Sequence, residues 1–262
     1  MQPMQQADIE QAGLISEDER SRKQQEVFEE ESAEVQVVKW DNFRLPIPVD
    51  HATFMRKVFL CLTCQLIVTA GVLAICVYVE EVRDWLLINY WVYWIGIGGV
   101  VCILCALMVN VENHPINIVL LCVFTLFMSF MVGTLCAAYA VGYGPDLVMQ
   151  AFLITILVFI GLALFSCQTK CNLMPLGLLA FMLLNALMWW SLFAWIWGWY
   201  DSSWMSLMFV IVFCLYILFD VWRMCNMPVF NPSAWIPAAI NLYLDIINLF
   251  LWILRLMAQS QN

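Results

Sequence analysis

Asp245 stands in the middle of an apolar stretch, 235–256, with Asn241 four residues before it and Asn248 three after. On a helix these three polar groups share one face. A second aspartate, Asp220, follows Tyr216 by four residues in the apolar stretch 203–224. A charged group at membrane depth costs about 2.5 to 3.5 kcal/mol on insertion scales, so by default it faces a bundle interior and marks an ion or proton site. The midpoint of 220 and 245 falls between Pro232 and Ser233, inside a predicted hairpin. An antiparallel turn there brings both carboxylates to similar depth, within about one helical turn.

Two carboxylates facing each other in a low dielectric resist double ionisation, so the pair is expected to share a proton near neutral pH. The same oxygens, ionised and joined by Asn, Tyr or backbone oxygens, suit Ca²⁺, a hard cation that prefers six to eight oxygen ligands. Proton and cation then compete, which makes the pair a pH-sensitive latch. Plainer readings remain: Asp220 could pair with Arg223 three residues on, and Asp245 could hydrogen-bond neighbouring hydroxyls or amides. Glu112, near the end of the second span, and Asn185, within the fifth, are secondary candidates. Their ordinary readings are a loop charge and an interhelical hydrogen bond.

Enzyme chemistry is not expected. Two aspartates on consecutive spans are also the dyad of an intramembrane aspartyl protease, but the Gly-x-Gly-Asp motif is missing. Neither His51 nor His114 lies within a span, and no His-Glu-x-x-His occurs, which disfavours metal or serine catalysis. Of eleven cysteines, Cys61 with Cys64 and Cys102 with Cys105 form CxxC pairs inside apolar runs, where they read as small hydrophobes. Cys167 and Cys171, in a predicted loop, read as free thiols. No cofactor is expected apart from Ca²⁺ as a ligand, and no nucleic-acid partner.

The elements that must position these residues are membrane spans. With 64% apolar and 12% charged residues in 262, and a mean hydropathy of +0.84, the chain exceeds a soluble domain. A spanning helix needs about 20 mostly apolar residues. The runs 58–79, 85–111, 115–145, 147–169 and 171–200 each qualify, and 203–224 and 235–256 complete a set of seven. Gly142, Gly144 and Pro145 end the third before Asp146 opens the fourth. The fifth begins with a loop around Pro175 and ends in an aromatic belt of Trp195, Trp197, Trp199 and Tyr200. Pro228, Pro232 and Pro237 mark the last hairpin. Thr125, Ser129 and Gly133, with Gly96, Gly99 and Gly161, are expected to let helices pack closely.

Residues 1–50 hold twelve of the twenty acidic residues and five of the eleven basic ones, a net −7 against −2 for the remainder. This segment reads as a disordered acidic cytosolic tail, ahead of a transmembrane domain over 51–262. Within it, Glu10, Leu14 and Ile15 fit an acidic dileucine sorting spacing. No cleavable signal peptide is expected, because the tail lacks an apolar core segment. Arg56, Lys57, Lys170 and Arg223 fall on one side of the predicted spans, Arg83 and Arg255 on the other. The positive-inside rule then puts the N-terminus in the cytosol.

Ala239-Ile240-Asn241-Leu242-Tyr243-Leu244-Asp245-Ile246-Ile247-Asn248-Leu249-Phe250-Leu251, preceded by Tyr216-Ile217-Leu218-Phe219-Asp220, resembles the Bax-inhibitor (TMBIM) family, lifeguard subgroup. Phe54-Met55-Arg56-Lys57-Val58, His114-Pro115-Ile116-Asn117 and Gln150-Ala151-Phe152-Leu153-Ile154-Thr155 extend the resemblance over about 52–257. It implies an all-α fold of seven transmembrane helices with the last one central, Ca²⁺ leak from stores, and suppression of apoptosis. The family's aspartate pair falls on Asp220 and Asp245. The membranes implied are endoplasmic reticulum, Golgi, endolysosomal or plasma membrane, and the partners are the lipid bilayer, Ca²⁺ and apoptosis regulators or death-receptor components. The chain departs from relatives that place arginine at the end of the second span as a partner for the aspartates, since it reads Asn110-Val111-Glu112-Asn113-His114 there. Its acidic tail also differs from the Pro/Gly/Tyr-rich tails of several lifeguard relatives. A competing reading makes the chain a scaffold that inhibits cell death through partners without transport.

Overall fold

A computed structural model describes residues 50–262 apart from 170, 199–202, 228–230, 232 and 262, and in the first 49 residues only Arg22, Gln24 and Gln25. The chain divides into Met1–Ile47 and Pro48–Asn262. The second unit carries α1 (His51–Tyr78), α2 (Glu80–Ile88), α3 (Trp91–Val109), α4 (Ile116–Tyr143), α5 (Pro145–Gln168), α6 (Met174–Trp197), α7 (Ser203–Asn226) and α8 (Trp235–Gln259). All but α2 are long and apolar enough to cross a bilayer, seven in total among the described residues, and the chain is a multi-pass membrane protein. The sorting spacing at Glu10, Leu14 and Ile15, most of the acidic tail, and Lys170, Trp199, Tyr200, Pro228 and Pro232 lie outside the described residues.

Local chemistry sets the boundaries, and in places moves them from the apolar runs. Asp50 accepts from the Thr53 amide at 3.0 Å and its hydroxyl at 2.8 Å, so α1 starts seven residues before the uncharged run. The Thr53 hydroxyl and amide hold the Asp50 carboxyl below its usual range. The predicted span 85–111 is broken: the Asn89 side chain donates to the Trp85 carbonyl at 3.0 Å and accepts from the Trp91 indole at 3.2 Å. An Asn side chain that takes a backbone carbonyl offers the chain an alternative to continuing the helix, so α2 stops and α3 begins anew. Gly144 takes φ 90° between α4 and α5, a conformation that favours glycine, and Pro145 starts α5 where no amide is required. Pro175 opens α6 within its first turn rather than sitting in a loop. Cys167 likewise lies in the last turn of α5, not in a loop.

The last helix is central. Over its most apolar 18 residues α8 is 56% buried, against 11% for α6, and it packs against α7, α1, α5 and α4. Its buried residues, such as Leu242 with Tyr243, Ile246 with Ile247 and Leu249 with Phe250, recur at helical spacing along one half of its circumference, the half away from Asn241, Asp245 and Asn248. By contrast α6 rests mainly on α7 and turns Trp189, Trp190, Trp195 and Trp197 outward.

A buried polar network threads three helices. The Tyr243 phenol on α8 lies 2.9 Å from the Thr69 hydroxyl on α1, which lies 3.0 Å from the Ser129 hydroxyl on α4. One turn away the Gln65 amide donates to Thr125 at 3.1 Å. The Phe124 ring meets Tyr243 edge to face at 6.2 Å. Gly133 lets α4 approach α1, since a Cβ there would stand 2.7 Å from the Cys76 sulfur, and Gly99 lets α3 approach Phe127 of α4. Gly161 is different: nothing lies within 4 Å of where its Cβ would be, so it serves no close approach. Asn185 also departs from expectation, donating to the Phe181 carbonyl of its own helix at 2.9 Å on an exposed face.

Interhelical hydrogen bonds in membrane proteins contribute about 0.6 to 1.7 kcal/mol each. Tyr243→Phe is therefore expected to lower stability by about 1 kcal/mol, and Thr69→Val, which cuts both links to other helices, by more. Thermal unfolding in detergent reads the order.

Candidate functional site

The pair of aspartates sits on the α7–α8 hairpin. Asp220 comes six residues before the end of α7 and Asp245 ten after the start of α8, depths of about 9 and 15 Å from that end of the bundle at 1.5 Å per residue. The two are staggered by about one turn, with Asp245 nearer the middle of the bilayer.

Helical spacing puts Tyr216, Asp220 and Arg223 on one side of α7, and Asn241 and Asp245 on one side of α8. These five line a single open cavity of about 420 Å³, bordered by Leu244, by Phe219 and by Gly177 and Phe181 of α6. A second cavity of about 350 Å³ shares Asp220, Arg223 and Asn241 with the first and reaches Phe54, Met227 and Asn231. Asp220 thus stands where the inner cavity meets the outer one. Phe54 and Arg223 line the same cavity, so the start of α1 and the end of α7 lie at one end of the bundle.

Among the described residues, neither carboxylate has a hydrogen bond from the protein or an ion pair within 4.0 Å. The pairing of Asp220 with Arg223 is not made at that distance, although both line the cavity. Both aspartates line the cavity together with Asn241, Tyr216 and Arg223. This set offers oxygen ligands of the kind a hard cation takes, with room for water to complete the shell. Among the described residues no group of three or more His, Cys, Asp or Glu gathers anywhere.

The remaining candidates lie outside this cavity. Asn248 donates to the Leu244 carbonyl at 2.8 Å and does not line it. Glu112 accepts from the Asn231 amide at 3.1 Å, and Asn231 in turn accepts from the Ser233 backbone amide at 2.8 Å. Glu112 therefore ties the α3–α4 loop to the entrance of α8 at the rim of the outer cavity. The α6 wall escaped sequence reasoning. A Cβ on Gly177 would stand 2.6 Å from the Phe219 ring, so this glycine lets α6 border the cavity. A lone glycine in an apolar helix is the signal that could have pointed to it.

Residues 51–262 match the family described as Inhibitor of apoptosis-promoting Bax1. Golgi anti-apoptotic protein of Vaccinia virus (strain Lister) is 30% identical over 214 residues, 80% of this chain and 86% of its own. Protein lifeguard 4 of Mus musculus is 31% identical over 215 residues, 77% of this chain and 83% of its own. Bax inhibitor 1 of Schizosaccharomyces pombe is 27% identical over 232 residues, 85% and 84% of the respective chains.

Gly177→Ala is expected to force the Phe219 ring aside and cost about 1 to 3 kcal/mol, the usual range for overpacking. Adding Phe219→Leu should recover part of that loss. Melting temperatures of the single and double variants check the coupling.

Proposed function

This chain belongs to the Bax-inhibitor family, and on that premise we propose that it conducts a Ca²⁺ leak across an intracellular membrane past Asp220 and Asp245, lowering store calcium and suppressing apoptosis. The observation that carries this reading is the pair of carboxylates. Two helices each contribute one to a common cavity of an apolar bundle, with no hydrogen bond to either among the described residues. Such groups are expensive in a membrane and mark ion or proton pathways. Ca²⁺ passing the site would exchange part of its water shell for carboxylate, Asn241 and Tyr216 oxygens. Arg223 lowers the local negative charge from the same cavity, so a cation would be held weakly enough to leave again.

Protons and Ca²⁺ compete for the same oxygens. A protonated carboxyl is a poor cation ligand, so acidification should reduce Ca²⁺ flux, and raising the pH should restore it. Arg56, Lys57 and Arg223 at one end of the bundle favour an N-terminus in the cytosol. The viral relative's name points to the Golgi as the membrane. A scaffold that inhibits cell death through partners is the second reading, favoured because the relatives' names speak of apoptosis and not of transport.

Purified protein in liposomes loaded with a Ca²⁺ dye tests both. Asp245→Asn is expected to slow Ca²⁺ entry about tenfold, equivalent to ~1.4 kcal/mol at the constriction, with Asp220→Asn next. Wild-type flux in both variants would overturn the pathway, and death suppression surviving those substitutions in cells would favour the scaffold. For the pH dependence, flux measured between pH 8 and pH 6 should fall as protons are added, and a rise would contradict the competition.

A further inference from the structure

At the end of the bundle that carries Arg223, the sulfur of Cys167 in the last turn of α5 lies 3.5 Å from that of Cys225 in the last turn of α7. Both are free thiols; Cys167 is exposed and Cys225 half-buried. Among the described residues no other two cysteine sulfurs make such a contact. The flanking structure already holds the two helices together, because the Ser166 hydroxyl donates to the Leu218 carbonyl at 2.8 Å. A disulfide spans about 2.05 Å between sulfurs, so closure needs about 1.5 Å of approach.

We propose that Cys167 and Cys225 form an oxidisable dithiol that hydrogen peroxide converts to an intramolecular disulfide, clamping the end of α5 to the end of α7. The exposed Cys167 sulfur, as thiolate, attacks one peroxide oxygen; the S–O bond forms, the O–O bond breaks, and the departing hydroxide takes up the proton the thiol gave up and leaves as one water, with Cys167 now a sulfenic acid. The Cys225 sulfur then attacks the sulfenic sulfur. The S–S bond forms, the S–O bond breaks, and the hydroxide takes up the Cys225 proton and leaves as a second water. Two thiols and one peroxide thus give one disulfide and two waters, with two electrons passing from the sulfurs to the peroxide. A thiol reductant reverses the step by exchange. Oxidisable pairs of this kind, closed only under oxidant, are the usual form of disulfide in reducing compartments.

The clamp grips α7 five residues beyond Asp220. A brake on the helix that carries this carboxylate follows from the dithiol, and that consequence rests on the proposed cation pathway.

The full-length protein in detergent, treated with hydrogen peroxide, alkylated and digested, is read by mass spectrometry. The expected product is a Cys167–Cys225 cross-linked peptide, missing in Cys167→Ser and Cys225→Ser and converted by dithiothreitol to two alkylated peptides. Oxidation should also raise the melting temperature of the wild type by roughly 5 °C or more, and of neither variant. Two thiols still alkylated after peroxide, or a bridge through Cys171 or between two chains, would overturn the proposal. Ca²⁺ flux in liposomes reads the consequence separately. A bridge with unchanged flux overturns the brake and leaves the dithiol, whereas wild-type flux in Asp245→Asn overturns the pathway whether or not the bridge forms.

Discussion

In a bilayer the hydrophobic effect does not hold one apolar helix against another, because lipid tails are as apolar as leucine. What fixes α8 is the contact of Tyr243 with Thr69 and, through it, Ser129. A helix locked through one residue is also locked in rotation. Asp245 lies two residues after Tyr243, about 200° further around the axis. With the phenol held toward α1 and α4, the carboxylate must point the other way, toward α6 and α7, and Asn241 follows because it lies one turn before Asp245. The direction of the acidic group is thus a consequence of a hydrogen bond on the opposite face of the same helix.

Placing α7 completes the site, and it is pinned along its length. Near its start, the Ser206 hydroxyl donates to the Gln259 side chain at 2.8 Å, and Phe209 stacks on Trp252 with ring centroids 4.0 Å apart. These contacts set the register of the α7–α8 hairpin at the end opposite the turn. Near its other end, Ser166 holds the Leu218 carbonyl and Gly177 receives the Phe219 ring. Asp220 immediately follows that ring, so the fit of α6 against α7 determines where the second carboxylate stands. Among the described residues the aspartates contribute no hydrogen bond to this scaffold.

The departure at Glu112 acquires a structural meaning in this setting. Where the family resemblance implied an arginine, this chain has an acid whose partner is Asn231, at the rim of the outer cavity. Arg223 is the basic residue that lines both cavities, and it comes from the same helix as Asp220. The basic residue beside the aspartates therefore comes from the hairpin and not from the second span.

The number of spans and the all-helical class were legible in the sequence, because length and apolar content are local properties that a bilayer constrains tightly. The family was legible for a related reason, since the motif around Asp245 is contiguous. Boundaries governed by one side chain were less so, as with Asp50 starting α1 early and Asn89 cutting the second run. Only the tertiary structure decided that Asn241 and Tyr216 join the aspartates in one cavity while Asn248 turns to its own helix. It also decided that Thr125 and Ser129 belong to the network that fixes α8, that Gly161 touches nothing, and that Cys167 meets Cys225. These depend on how each helix is rotated and which neighbour it meets. In α1 and α3 to α6, apolar nearly all round, the sequence carries little amphipathic signal to fix that rotation, so a few buried hydrogen bonds and close glycine contacts fix it instead; α8, with its polar face of Asn241, Asp245 and Asn248, is the exception.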